Sequence, residues 1–311
     1  MKKTVYSAVF MILFFMILLF PSQAFIGASG GLTLWLETLV PSLLPVMILS
    51  NILISTNLAG ILAYPSYILF FRFLGLSIFG SYALLCGFLC GFPMGVKILS
   101  DLRKKNMISK EEAAYLAVFC NNVSPAFTVN YLFGQHLDQE LLPIAAVLVI
   151  IYGAPLLYGL LTNPSFQKKN ESRNSSVSPV NKASFIAPNI AMTDACITNG
   201  IQSITKLGGY ITLFSVFTSM MDLIPRSSEL LKALLTALLE ITTGIHRLSA
   251  LSLPMPIRTV LLCTSSVFGG LCCTAQSQPM LNVLGITLRR YLRSRVVITV
   301  IAFFMTICLF F

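Results

Sequence analysis

Long stretches of this chain are almost wholly apolar, and polar residues fall at their ends or at a few points inside them. Uncharged runs cover positions 38–71, 73–96, 113–135, 141–167 and 259–288. A helix needs about 20 apolar residues to cross a hydrocarbon core of about 30 Å, so each run is long enough to span a bilayer. An earlier run, 5–20, follows Lys2 and Lys3 and predicts a retained first span, although Pro21-Ser22-Gln23-Ala24 behind it would also suit a signal peptidase. The predicted fold class is an all-α polytopic membrane protein.

The interruptions inside the runs are as informative as the runs. Pro41 and Pro45 interrupt LVPSLLPVMILSNILI, predicting a kink or a segment that folds back, and Trp35 just upstream suits an interfacial anchor. Gly87, Gly91, Pro93 and Gly95 cross CGFLCGFPMGVK, and Asn121, Asn122, Ser124 and Pro125 cross the helix that begins near Glu112. Later come Gly208-Gly209, then Glu240 with Gly244, then Gly269-Gly270 ahead of Gln276. Each half opens with an interrupted segment, continues to a glycine-broken one with charge at the break, turns, and reaches a polar break. Counterparts lie about 150 residues apart in the two later pairs and somewhat further apart in the first, which predicts a diverged internal repeat.

Composition agrees with the pattern: 56% of residues are hydrophobic and 10% charged, with a mean hydropathy of +0.84. The net charge of +10 is concentrated in short clusters between apolar runs, as topology signals are, so no nucleic-acid partner is implied. Arg103, Lys104, Lys105 and Lys110 make a cytoplasmic loop, and Arg289, Arg290, Arg293 and Arg295 make another. The turn 249–256 has no Lys or Arg of its own, so it faces the other side and the repeat is inverted. The span count closes only if one segment between the polar linker and Ser249 is re-entrant or interfacial. Eight scattered cysteines and two histidines have no metal-ligand spacing, and the cysteines read as small packing residues.

Four regions follow: an N-terminal span over 1–30, a first repeat over 31–162, a polar cytoplasmic linker over 163–189, and a second repeat with a terminal span over 190–311. Paired interrupted helices in two halves point to a transporter's central site. Ionisable residues within a membrane are functional candidates by default, which selects Lys97 and Glu240, at matching places in the two halves and able to pair with each other. Broken helices expose backbone N–H groups that can cradle an anion, which adds Gly91, Pro93, Gly95 and Ser124. Asn121, Asn122 and Gln276 supply neutral donors and acceptors, and Gly244 completes the candidate substrate site. Against these stand plainer roles: snorkelling for Lys97, and close helix packing for the glycines.

GFPMGVKI with FCNNVSPAF, LVPSLLPVMILSNILI upstream, and LLEITTGI and FGGLCCTAQ downstream resemble the sporulation integral membrane protein YlbJ family, in the nucleoside recognition (Gate) superfamily. The family pattern reads GYPMGAK where this chain has Phe92 and Val96. The resemblance implies a Gate-like fold and a carrier that moves dipicolinate from the mother cell across the outer forespore membrane. Other readings are a nucleoside or other small-solute carrier, and a non-transporting sporulation membrane scaffold. No HExxH, GxSxG or P-loop motif is present, so no enzyme and no cofactor is expected. The expected partners are the lipid bilayer and a small anionic solute; a homo-oligomer is compatible with both.

Overall fold

The computed structural model describes residues 11, 13–137, 143–162, 186–223 and 228–310. The start of the predicted first span, and positions 163–185 of the predicted linker, lie outside the described residues. All regular elements among the described residues are helical. Three helices are long and apolar enough to cross a membrane: Pro21–Ser55, Ile144–Thr162 and Met255–Val283. Ala59–Leu74 and Ile78–Cys90, bent by 101° at a short break, make a fourth if they are joined. Phe25, Ile26, Ile61, Leu62 and Ile68 all turn outward, an arrangement that suits lipid and is costly in water. The chain is an all-α integral membrane protein.

Helix α1 (Pro21–Ser55) carries both prolines without folding back. Its backbone widens to π-helical winding over Leu34–Leu39, and the Val40 N–H reaches back to the Trp35 carbonyl. That wider turn directly precedes Pro41, whose ring would clash with a carbonyl in the regular winding and whose N–H is missing. Of the two expectations, a kink or a fold-back, the fold-back does not form: the segment is one continuous helix. Trp35 is not a free interfacial anchor either, because its Nε1 donates to the Ile204 carbonyl at 2.9 Å.

Helices α2 (Ala59–Leu74) and α3 (Ile78–Cys90) follow, separated by Gly75 in the left-handed region. Ser77 caps α3 by accepting from Gly80 N at 3.1 Å. Helix α4 (Met94–Lys104) doubles back against α3, so closely that a Cβ on Gly87 would lie 2.9 Å from the Gly95 Cα. After the basic turn, Ser109 caps α5 (Lys110–Leu116), and the Glu112 carboxylate accepts from Ser77 N at 2.6 Å. The entrances of α3 and α5 are thus pinned side by side. The chain then leaves helical geometry over 117–124 and resumes in the π-helical α6 (Phe127–His136). Helix α7 (Ile144–Thr162) completes this half.

The second half opens with α8 (Ile190–Met220), which packs along α1. Gly208-Gly209 does not interrupt it: Gly208 receives the face of Trp35, and the helix runs on. Helices α9 (Glu229–Leu239) and α10 (Ile241–Ser249) fold back on each other at Glu240. Helices α11 (Met255–Phe268) and α12 (Gly270–Val283) are one apolar segment broken at Gly269, and α13 (Leu288–Ile307) closes the described chain. The halves interlock at their ends. Gly285, past α12, meets Lys110 at the α4–α5 turn, while His136 at the end of α6 bonds Ser249 at the end of α10, 2.9 Å apart.

Candidate solute site

Four breaks in the helices meet at one place. The tip of the α3–α4 hairpin has Gly91 at φ 82° and a cis bond before Pro93. A Cβ on Gly91 would lie 2.9 Å from Ser124 N, so this tip abuts the break between α5 and α6. The ring of Phe92 fills the space in front of Gly269, where a Cβ would come within 2.5 Å of it. Gly270 in turn lies against the Leu239 carbonyl and Ile241 N, the break between α9 and α10. Non-helical backbone is tolerated at membrane depth when protein surrounds it, and here each break shields another.

Asn121, in the second break, ties α4, α12 and α13 together. It is fully buried, and its Oδ1 accepts from Val96 N in the first turn of α4 at 3.4 Å. Its Nδ2 donates to Ser277 Oγ on α12 at 3.0 Å and to the Tyr291 hydroxyl on α13 at 3.3 Å. Its backbone carbonyl accepts from Arg295. One amide side chain therefore links both halves of the chain, with its own oxygen and nitrogen both satisfied.

Glu240 is 5% exposed and both its oxygens are engaged, accepting from Thr242 N at 2.9 Å and Thr243 N at 2.8 Å. It is the N-cap of α10, and its charge offsets the positive end of that short helix. A broken helix in this site thus already binds a carboxylate, the protein's own. Tyr131 on α6 donates to the Thr242 carbonyl at 2.8 Å and joins the same cluster.

Lys97 does not pair with Glu240. Its side chain is 7% exposed, with the ammonium bonded to Asp101 one turn on and to Asn199 Oδ1 on α8 at 3.0 Å. A buried ion pair with an extra acceptor satisfies Lys97 away from the breaks, so snorkelling does not describe it either. Gly244 faces Ala237, whose Cα would lie 2.1 Å from a Cβ there, and so serves hairpin packing. Ser124 caps α6 by accepting from Phe127 N at 3.2 Å. Asn122 donates to the Phe119 carbonyl at 3.0 Å with its Oδ1 unpartnered among the described residues, and Gln276 Nε2 sits 3.0 Å from Cys272 Sγ. The breaks bring together Gly91, Pro93, Gly95, Asn121, Ser124 and Glu240, and leave Lys97 and Gly244 outside.

Sequence reasoning missed Ser277, Tyr291 and Arg295, all buried on α12 and α13. Arg295 was hidden in an arginine cluster whose other members are exposed. The two histidines, His136 and His246, also meet, with ring centroids 5.8 Å apart. Outward concavities lie elsewhere: one between α7 and α13, lined by Val149, Ile150, Ile301 and Phe304, and one along α1 beside Phe25 and Leu36. The walls of the first are apolar and those of the second include Ser29, Thr33 and Glu37; neither is lined by residues of the breaks.

Comparison with known proteins supports the resemblance drawn from the motifs. The chain is similar to the sporulation integral membrane protein YlbJ of Bacillus subtilis (strain 168), with 31% identity over 225 residues. The match covers 66% of this chain and 53% of that protein, so the chain spans about half the length of this curated relative. No family model matches. No solved structure matches.

Proposed function

We propose that the chain is a carrier, not an enzyme, and moves a small anionic solute across a membrane of a spore-forming cell. The converging breaks around Asn121 are its solute site. In this proposal it is a member of the YlbJ family, which the similarity to a protein named for sporulation supports, and it has the Gate-like fold that the motif resemblance implies. Dipicolinate, a planar dicarboxylate, is the solute the resemblance implies, and the outer forespore membrane is the location.

The supporting observation is the meeting of four helix breaks, one of which carries a buried amide bonded to α4 and α12. Breaking helices inside a membrane frees backbone donors and acceptors, and transporters use those groups for solutes and ions at the interface between repeats. The α3–α4 and α9–α10 hairpins then correspond as re-entrant elements of opposite orientation, and α5–α6 and α11–α12 as broken spans. This pairing accounts for two contacts at once, α4 against α12 and α10 against α6.

Reconstitution into liposomes, with dipicolinate, nucleosides and inorganic anions compared at equal protein content, tests the proposal. Saturable dipicolinate uptake is expected. Preference for nucleosides would replace the anion with a neutral solute, and no uptake of any of them would favour a membrane scaffold.

A further inference from the structure

At the start of α13, Arg289, Arg290 and Arg293 are exposed, but Arg295 is 1% exposed. Its Nη2 donates to the Asn121 carbonyl, while Nε and Nη1 are buried and have no acceptor among the described residues. The ion pairs among the described residues, Lys97–Asp101, Lys232–Glu229 and Arg247–Asp222, do not include it. Glu240, at the neighbouring break, has both oxygens committed to the first turn of α10. The rings of Phe92 and Tyr291 flank the guanidinium, with centroids 4.8 and 5.8 Å from Cζ.

A buried guanidinium cannot relieve its desolvation by losing a proton, because arginine stays charged at any ordinary pH. Two aromatic faces and one carbonyl offset part of the cost, and the remaining donors call for an anionic acceptor. Their place decides what kind. Arg295 touches the second break through Asn121 and the hairpin tip through Phe92, so an acceptor for Nε and Nη1 sits among the converging breaks.

We propose that Arg295 is the anchor for a carboxylate of the transported solute, with its Nε and Nη1 donating to carboxylate oxygens. Phe92 supplies a flat apolar face beside that anchor, which suits a planar ring carrying the carboxylate. This inference rests on the carrier reading and gives its solute site the positive charge that Lys97, already paired with Asp101, does not provide.

The test is binding by the full chain in lipid nanodiscs, with dipicolinate, pyridine-2-carboxylate and uncharged pyridine as probes. Wild type should bind both carboxylates and not pyridine. Arg295→Gln should weaken carboxylate binding at least tenfold, and Arg295→Lys should weaken it less. Phe92→Glu covers the case in which Arg295→Gln does not fold: it keeps the arginine, gives it an internal carboxylate, and should abolish binding while melting no lower than wild type. Wild-type protein that binds neither carboxylate, folded Arg295→Gln that binds like wild type, or Phe92→Glu with undiminished binding would each overturn the proposal. Liposome uptake separates this failure from that of the carrier reading. Dipicolinate uptake unaffected by Arg295→Gln leaves a carrier without this anchor, and Arg295-dependent binding without wild-type uptake leaves an anion site without a carrier.

Discussion

Adding one methyl group at Gly87 should disturb the whole site. A Cβ there would lie 2.2 Å from the Cys120 carbonyl oxygen, 2.9 Å from the Gly95 Cα and 3.2 Å from the Cys120 carbonyl carbon. Ordinary contacts between heavy atoms need about 3.5 Å, so the hairpin and the strand of backbone entering Asn121 must separate by about 1 Å. All three obstructing atoms are backbone, and no rotamer change relieves them. Overpacking of this kind costs about 1–3 kcal/mol, which lowers the melting temperature by on the order of 5 °C. The displacement falls on Cys120, next to Asn121, so solute binding should fall with stability. Thermal melting of purified Gly87→Ala in detergent measures the first effect, and solute binding the second. Gly209→Ala is the control: nothing lies within 4 Å of a Cβ there, and alanine in mid-helix should be neutral or stabilising by about 0.5 kcal/mol. A Gly87→Ala protein that melts within a degree of wild type, or below which Gly209→Ala melts, would refute the packing around Cys120.

Other outcomes follow from buried charge. The Glu112 carboxylate accepts from Ser77 N at 2.6 Å and pins the entrances of α3 and α5. Glu112→Ala leaves that donor without its partner and should cost about 1–3 kcal/mol, and Glu112→Gln, which keeps an acceptor, should cost less; equal melting of both variants and wild type would remove this contact from the account. Lys97→Met strands Asp101 in a buried site and should cost about 3–5 kcal/mol; Lys97→Met with Asp101→Leu should recover much of that loss in the same melting assay. Glu240→Gln keeps one of two acceptors at the N-terminus of α10 and should cost about 1–2 kcal/mol, with Glu240→Ala costing more; equal melting of the three proteins would remove the cap from the account.

The membrane class and the places where helices break were legible in sequence, because both depend on local chemistry. Gly91 with Pro93, Asn121 to Pro125, and Gly269 punctuate apolar runs in a way that regular helices do not, and all three mark real interruptions. Two other interruptions misled. Pro41 is absorbed by a π-helical turn just upstream, and Gly208 is a seat for Trp35 rather than a break. Both outcomes depend on helix α8 lying along α1, which no local pattern encodes. Lys97 and Glu240 were rightly suspected of burial, yet each is satisfied close by in the chain, by Asp101 and by the first turn of α10. Arg295 was hidden for the opposite reason. Its neighbours make it look like a topology signal, and only the packing of α13 beneath Phe92 and Asn121 shows that it points inward.

The central claim is that the converging breaks around Asn121 form the path of a small anion. Dipicolinate uptake into liposomes holding equal amounts of wild-type and Asn121→Leu protein tests it most directly, since leucine fills similar volume but cannot bond Val96, Ser277 or Tyr291. The account predicts saturable uptake by the wild type and at least a tenfold lower rate for Asn121→Leu. Uptake by the wild type no greater than in protein-free liposomes, or equal uptake by the two proteins, would contradict it.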